Sequence, residues 1–304
     1  MGDTKSWISA FRLRTLPLAF SGWLVGTTLA YTSIEINWYV AGLTLLTAFL
    51  LQILSNLAND YGDAVSGVDS EKRKGPNRMV QSGKITKKAM GKAILLFSFL
   101  SFSFGSLLLS LSFKDDFISV FVFLILGLLA IGAAIKYTVG INPYGYAGFG
   151  DLYVFLFFGM ILVFGTYYLQ VQSFDWAVLL PAASIGLLSV GVLNVNNIRD
   201  IESDKTSGKN SIPVRIGRKK AVVYHTFLLQ AGIATAIVFS FLEFASWWQF
   251  IFIPINLFFF KNIQSVAKKP LYELDPFLKQ MAISTLLFSI LFSLGVALSA
   301  ISLT

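Results

Sequence analysis

Long apolar runs alternate with shorter polar connections along the whole chain. A helix that crosses a bilayer needs about 20 predominantly apolar residues, and several runs approach that length. They cover residues 16–34, 38–58, 90–113, 117–136, 151–170, 176–197, 221–242, 246–262 and 280–302. The pattern predicts an all-α polytopic membrane protein, a bundle of about nine transmembrane helices around a central cavity.

Composition supports this prediction and excludes other classes of protein. Of 304 residues, 55% are hydrophobic and 13% are charged, whereas a soluble domain carries about 25% charged residues. The chain has no cysteine, which excludes disulfides and thiolate metal sites. Its net charge is +8, but the basic residues lie between apolar runs. They are therefore interpreted as charges that set topology in a lipid bilayer, and no nucleic-acid partner is expected.

Basic residues are distributed unevenly between the two sides of the predicted bundle. Every Lys and Arg except Lys114 falls in the N-terminus, in an even-numbered loop or at the adjoining end of a span. Because such residues are retained on the cytoplasmic side, we expect the N-terminus and these loops in the cytoplasm, at a cell (inner) membrane. Without a linker or a change in composition, residues 1–304 are expected to form one integral-membrane domain.

Polar residues interrupt the end of the second apolar run. Asn56, Asn59, Asp60 and Asp63 are spaced i, i+3, i+4 and i+7, which is one face of a helix. A carboxylate at membrane depth costs about 2.5–3.5 kcal/mol on insertion scales. These side chains therefore either face a water-filled cavity and share a counter-charge, or they are helix caps and solvated loop charge.

A second polar set has the same spacing. Asn197, Asp200 and Asp204 are separated by three and four residues, as three members of the first set are. A loop with glycine and basic residues follows each set. Segments 56–83 and 194–217 therefore indicate a weak internal repeat, with both acidic ends on the same side of the membrane.

The chemistry of the two segments favours a magnesium-bound diphosphate. Oxygen ligands of the Asp and Asn type suit Mg²⁺, a hard cation that bridges one or two carboxylates to substrate phosphates. Lys and Arg in the adjacent loops supply the further positive charge that a phosphate group requires. We call Asn56, Asn59, Asp60 and Asp63 the first acidic set and Asn197, Asp200 and Asp204 the second acidic set. Together with two basic loops at the same end of the bundle, they predict a site of this kind.

At these residues the sequence resembles a known family. NLANDYGDAVSGVD (56–69) with GPNRMVQSG (75–83) resembles the first Asp-rich signature of the UbiA-type intramembrane prenyltransferases, and NNIRDIESDKTSGKNSIPVRIG (196–217) resembles the second. Two further phrases, RLRTLPLA (12–19) and YTVGINPYGYAGFGDLYVFLFFG (137–159), are similar to the MenA branch of that family.

The resemblance implies transfer of a polyprenyl group from a prenyl diphosphate to 1,4-dihydroxy-2-naphthoate, with loss of CO₂ and Mg²⁺ as cofactor. Asp63, Asp200 and Asp204 would be the catalytic carboxylates. The implied metal ligands are Asn59, Asp60, Asp63, Asp69, Asp200 and Asp204. Many relatives place the third Asp of the first motif where this chain has Gly67, so Asp69 departs from the family pattern.

Further residues are expected to contact the diphosphate or the acceptor. They are Asn56, Arg78, Lys136, Tyr137, Asn197, Lys209 and Arg14. Asp151 either activates a hydroxyl of the acceptor as a catalytic residue or caps its helix. Lys136 either contacts substrate or extends to the membrane interface, and Arg14 either reaches substrate or sets topology.

Other functions remain open from the sequence alone. The acceptor could be 4-hydroxybenzoate or homogentisate instead of the naphthoate. A carrier for a divalent cation or an anion is the alternative from another class of protein, although no comparable charge lines the other half of the predicted bundle.

Overall fold

The computed structural model describes residues 2–66, 78–140, 143–243 and 246–303, and all regular secondary structure in these ranges is helical. The longer helices, in chain order, are α1 Thr4–Phe11, α2 Leu16–Tyr31, α3 Trp38–Val65, α4 Lys87–Phe113, α5 Phe117–Lys136, α6 Gly150–Val171, α7 Leu179–Arg199, α8 Ile201–Thr206, α9 Ile212–Glu243, α10 Asn256–Lys268 and α11 Asp275–Leu303.

Eight helical stretches in the described ranges are long and apolar enough to cross a membrane. They are α3, α4, α5, α6, α7, α9, α11 and the segment Trp247–Lys268, which contains α10. The apolar run 16–34 corresponds to α2, which has 16 residues and is about 24 Å long at 1.5 Å per residue. Since α2 is shorter than these stretches, the count of nine spans stays a prediction.

The end of the bundle opposite the acidic sets exposes large aromatic side chains. Trp38 and Tyr39 begin α3, Trp176 precedes α7, and Trp247 follows α9; all four are exposed. Trp and Tyr are enriched where a membrane meets water. Their location agrees with a bundle embedded in lipid, while the side that faces the cytoplasm stays a prediction.

Helix α7 lies at the centre of the bundle and packs against α6, α9 and α11. Its small residues allow the neighbouring helices to come close, since a Cβ added at Gly186 would overlap Phe155 and one at Gly191 would overlap Leu229. Small residues have this role at helix contacts in membranes generally. Because α7 is held on several sides, its C-terminal end carries Asp200 on a rigid support.

Helix α3 carries the first acidic set on its last turns. It is capped by Asn37 and continues to Val65, well beyond the predicted run 38–58. Gly62 allows the chain after α5 to approach, because a Cβ there would overlap the backbone of Thr138. The predicted arrangement on one helical face is therefore realised within a continuous helix.

Helix α5 forms a thin wall of the bundle. None of its residues is buried. One face carries Phe123, Gly127, Ala130 and Ala134, which line an internal chamber. Residues on other faces, such as Phe121, are exposed. The wall is therefore one helix thick between the chamber and the outside of the bundle.

Candidate active site

Two members of the first acidic set hold neighbouring backbone in place. The side-chain amide of Asn56 donates to the carbonyl of Phe11 and to the hydroxyl of Thr15, both at 3.0 Å. The two carboxylate oxygens of Asp60 accept the backbone N–H groups of residues 79 and 80 at 2.9 and 3.0 Å. Asp60 does not line the chamber. The structure therefore does not bring it together with the other predicted metal ligands.

Asp63 is the centre of a buried polar cluster. Its side chain is 1% exposed and forms ion pairs with Arg78 and with Lys209, whose Nζ lies 3.2 Å from Oδ1. The hydroxyl of Tyr146 also donates to Oδ1, and Lys209 Nζ lies 4.8 Å from the centroid of the Tyr146 ring. One carboxylate thus gathers groups from three separate parts of the chain.

The segment that carries Tyr146 is docked on the loop that carries Lys209. The N–H of Asn210 donates to the carbonyl of Tyr146 at 2.9 Å, and Arg215 donates to the carbonyl of Ala147. Gly148 has a φ of +88°, and a Cβ there would overlap the carbonyl of Asn210. The close approach of the two loops therefore requires glycine at this position.

The second acidic set follows α7 directly. Both oxygens of Asp200 accept hydrogen bonds from the neighbouring Arg199, at 2.9 Å from Nε and 2.7 Å from Nη2. Asp204 lies in α8 and accepts a hydrogen bond from Ser211 Oγ at 3.3 Å. Burial raises the pKa of Asp204 to about 6; Lys209 lowers it, and the nearby Asp200 raises it further. Asp204 is therefore easier to protonate than an ordinary carboxylate.

Both acidic sets open into one chamber of about 860 Å³. Most of the predicted site residues line it: Arg14, Asn56, Asn59, Asp63, Arg78, Tyr137, Asp151, Asn197, Asp200, Asp204 and Lys209. The remainder of the lining includes many apolar side chains, among them Leu108, Phe157 and Leu162. The chamber thus has charged groups at one end and apolar surface elsewhere, which suits a molecule with an anionic head and an apolar tail.

Aromatic side chains and a carboxylate form another part of the chamber wall. The Tyr144 and Tyr153 rings stack with centroids 3.9 Å apart, and Tyr137 meets Tyr144 edge-on at 5.3 Å. Asp151 is 7% exposed and accepts a hydrogen bond from the Tyr224 hydroxyl at 3.1 Å. A planar aromatic acceptor would find stacking surfaces here and an oriented carboxylate beside them.

The profile of the UbiA prenyltransferase family matches residues 19–286, which include both acidic sets. The chain belongs to the UbiA prenyltransferase family. The resemblance drawn from the two Asp-rich segments is thereby confirmed.

Two curated relatives are similar to this UbiA-family chain over nearly their full length. The 1,4-dihydroxy-2-naphthoate octaprenyltransferase of Haemophilus influenzae is 44% identical over 295 residues, 96% of this chain and 95% of the relative. The enzyme of the same name from Escherichia coli is 43% identical over 303 residues, 97% and 96% of the two chains. The chain is therefore a polyprenyltransferase, and its similarity to the MenA branch is confirmed.

A solved structure of another UbiA family member has the same architecture. The UbiA homolog from Archaeoglobus fulgidus bound to DMAPP and Mg²⁺ matches with a TM-score of 0.59 at 16% identity, over 92% of this chain and 98% of the homolog. At this level of identity the likeness concerns the fold alone. It confirms the predicted all-α polytopic membrane class.

Some residues predicted for the UbiA-type site lie elsewhere. Lys136 is exposed at the end of α5 and does not line the chamber, so its position matches the alternative of an interface residue. Asp69 lies outside the described residues. Asp60 supports residues 79 and 80, as given above.

The oxygen donors in this UbiA-family chamber suit a hard divalent cation. In the described part of the chain, no three or more His, Cys, Asp or Glu are close enough to hold a metal ion by themselves. Mg²⁺ usually takes only one or two carboxylates and completes its shell with water and substrate phosphates. Asn59, Asp63, Asp200 and Asp204 line the chamber and supply ligands of the right type for divalent cations that are held jointly by the protein and a diphosphate.

The structure adds residues that the sequence reasoning missed. Tyr146 contacts Asp63, Tyr224 contacts Asp151, and Arg199 contacts Asp200 and Asp275. Tyr146 falls within a phrase that resembles the family, but nothing in its spacing points to Asp63. An Asp-Pro pair at 275–276 is a helix-start signal, which by itself gives no reason to connect Asp275 with the site.

Proposed function

We propose that this enzyme transfers a polyprenyl group from a prenyl diphosphate to 1,4-dihydroxy-2-naphthoate, with Mg²⁺ as cofactor. Loss of CO₂ would give demethylmenaquinone, first in its quinol form. The observation that carries the proposal is the shared chamber, in which Asp63, Asp200 and Asp204 lie at the charged end of a largely apolar cavity. The names of the two bacterial relatives support the acceptor, and the ligands of the archaeal homolog support the donor and the metal.

The diphosphate head binds at the charged end of the chamber. Arg78 and Lys209 line this end and donate to diphosphate oxygens, which suits charge-assisted hydrogen bonding. Asn59, Asp63, Asp200 and Asp204 would hold Mg²⁺ together with the diphosphate. When bound, the metal neutralises the charge that develops as pyrophosphate departs.

Prenyl transfer exchanges one bond for another. The bond between the allylic carbon and the diphosphate oxygen breaks, and its electron pair leaves with pyrophosphate. The ring carbon that bears the carboxylate then bonds to the allylic carbon, and loss of CO₂ returns an electron pair to the ring. The apolar side chains of the chamber exclude water from the allylic cation, and aromatic faces such as Tyr153 and Phe157 stabilise its charge.

The acceptor lies beside Asp151 in this scheme. The carboxylate of Asp151 accepts the proton of a ring hydroxyl of the acceptor, and the loss of this proton raises the electron density of the attacking ring carbon. Asp151 returns the proton to the oxygen after CO₂ has left. Tyr224 donates to Asp151 at 3.1 Å and orients it. The stacked Tyr144 and Tyr153 rings support the planar acceptor.

The enzyme works in the cytoplasmic (inner) membrane, with its site open to the cytoplasm. Both acidic helix ends lie on the side that carries nearly all Lys and Arg residues, the side retained in the cytoplasm by the positive-inside rule. A polar diphosphate and a carboxylated acceptor reach the chamber from water at this side. The long prenyl tail stays within the apolar part of the bundle and the surrounding lipid.

The test is prenyl transfer by the purified protein in lipid nanodiscs. Dihydroxynaphthoate, Mg²⁺ and prenyl diphosphates of several chain lengths are supplied, and products are identified by mass spectrometry. We expect a prenylated product that lacks the mass of CO₂. Its formation should stop when Mg²⁺ is chelated and resume when the ion is restored.

Parallel reactions with 4-hydroxybenzoate and homogentisate test the acceptor. Faster turnover of either one than of dihydroxynaphthoate would contradict the proposed acceptor while leaving prenyl transfer intact. Asp115→Ala is the matched control variant, because Asp115 is an exposed carboxylate that follows α4 at the opposite end of the bundle. It should leave turnover unchanged.

A further inference from the structure

A chain of alternating charges runs from the second acidic set to the start of the last helix. Arg199 contacts Asp200 through Nε and Nη2, and its Nη1 lies 2.5 Å from Asp275 Oδ1. Arg14 Nη1 in turn lies 3.2 Å from both oxygens of Asp275. Asp275 therefore binds two guanidinium groups that lie far apart in the sequence.

The two arginines differ in their exposure. The Arg199 side chain is 0% exposed and does not line the chamber. The Arg14 side chain is 31% exposed and lines the chamber wall. Asp275 does not line the chamber either, so any effect it has on substrate or metal must pass through the arginines.

The charge balance of this network determines how strongly the Asp200 carboxylate attracts a divalent cation. A buried guanidinium needs an anionic partner, and removing one partner leaves its charge poorly compensated. Without Asp275, Asp200 would be the one carboxylate among the described residues that pairs with Arg199, and more of its negative charge would offset that guanidinium. With Asp275 present, the charge of Arg199 is shared between two carboxylates, so Asp200 offsets a smaller part of it and attracts a divalent cation more strongly.

Helix α11 is well suited to supply this carboxylate. Asp275 is its first residue, where the helix dipole favours a negative charge. The same carboxylate holds Arg14, which is attached to a short helical turn at Leu13–Thr15. The Thr15 hydroxyl accepts hydrogen bonds from Gln52 at 3.1 Å and Asn56 at 3.0 Å, so this turn is also connected to α3.

We infer that Asp275 is a positioning residue for both the divalent cation and the diphosphate of the site. Through Arg199 it keeps Asp200 available to the divalent cation, and through Arg14 it holds a guanidinium at the chamber wall for the diphosphate. The inference rests on the proposed metal-assisted prenyl transfer. It does not depend on which aromatic acceptor the enzyme uses.

Metal binding without turnover provides the test. The protein in nanodiscs is saturated with a prenyl thiolodiphosphate that does not react, and Mn²⁺ is titrated as the probe by electron paramagnetic resonance. We expect Asp275→Asn to raise the Mn²⁺ concentration for half-occupancy by about tenfold, the lower end of the range for residues that orient metal ligands. Asp275→Glu should restore much of the affinity, because it returns the charge.

The matched control is Glu273→Gln, two residues away. Glu273 pairs with Lys269 at 3.1 Å, and both side chains are well exposed, so its removal should leave Mn²⁺ occupancy unchanged. Unchanged occupancy in Asp275→Asn would overturn the inference, as would failure of Asp275→Glu to restore affinity. Thermal unfolding without metal checks that each variant is folded.

Arg14→Gln separates the two parts of the inference and remains informative if Asp275→Asn does not fold. This variant retains the contact between Arg199 and Asp275. We expect its Mn²⁺ occupancy to stay near that of the parent protein, while KM for the prenyl diphosphate rises about fivefold or more through loss of a charge-assisted contact. A loss of Mn²⁺ affinity in Arg14→Gln without a change in KM would overturn the inference. Since no acceptor is present in the Mn²⁺ titration, a wrong acceptor assignment would not affect it.

Discussion

The ends of α3 and α7 both bring carboxylates into the chamber, but their counter-charges come from different places. Asp63, near the end of α3, pairs with Arg78 and Lys209, which lie on separate loops and line the chamber themselves. Asp200, after α7, is held by its sequence neighbour Arg199, which is fully buried behind the chamber wall.

From this difference we expect the C-terminal ends of α3 and α7 to have different roles when substrate binds. The cations around Asp63 can turn to a diphosphate when one enters, since they already lie at the chamber surface. The cation beside Asp200 has no such access, because Arg199 lies behind the chamber wall and is held there by Asp200 and Asp275. The α3 end would therefore exchange partners as substrate binds, while the α7 end would present a fixed ligand from a rigid helix.

The largest expected effect is the loss of a carboxylate at either end. Asp63→Ala and Asp200→Ala should each lower turnover by about 10³-fold or more, since each removes charge that holds the metal near the leaving group. The measurement is single-turnover prenyl transfer in nanodiscs at saturating Mg²⁺. Each variant also leaves a buried cation less well compensated and should lose stability, so turnover is compared per amount of folded protein, with Asp115→Ala as the reference. Substantial turnover in either variant would remove its carboxylate from the metal site.

The next largest effect distinguishes a counter-charge that lines the chamber, Arg78, from one that is buried behind its wall, Arg199. Arg78→Gln should raise KM for the prenyl diphosphate by about 10- to 100-fold, the range for hydrogen bonds that involve a charged group. Arg199→Gln should destabilise the fold by about 3–5 kcal/mol, as breaking a buried ion pair does. The loss should be smaller in Arg78→Gln, because Asp63 keeps Lys209 and Tyr146 as partners. Steady-state kinetics and denaturant unfolding, measured on both variants, compare the two effects. Equal losses of stability in the two variants would contradict the distinction.

The sequence was sufficient to predict the helical class and the acidic residues at the chamber. Apolar runs give the spans, and the spacing of Asn59 and Asp63 gives their common helical face. Both signals are local and periodic, so they can be recognised in the sequence without knowledge of the tertiary structure. The apolar run alone stopped at residue 58, but the polar spacing predicted a helix that continues through Asp63, two residues before α3 ends at Val65.

The supporting residues could not be predicted in the same way. Tyr146 reaches Asp63 across 83 positions of sequence, and Asp275 reaches Arg199 across 76. No periodicity connects such pairs. Asp60 shows the opposite problem: its spacing places it among the acidic residues, but its oxygens are occupied by backbone N–H groups. Only the packing of the loops distinguishes a carboxylate that faces the chamber from one that supports its wall.

The smallest expected effect concerns the pH dependence of metal binding at the α7 end. Asp204 has a pKa raised to about 6, chiefly by burial. As the pH falls through this value the carboxylate gains a proton, and its attraction for a cation is lost. The Mg²⁺ concentration for half-maximal rate should therefore rise severalfold between about pH 7.5 and pH 5.5, where an ordinary Asp would stay ionised. Asp204→Asn should start from weaker Mg²⁺ binding and show a flatter dependence over that interval, because the titrating group is absent. An equally steep dependence in Asp204→Asn would assign the titration to another group.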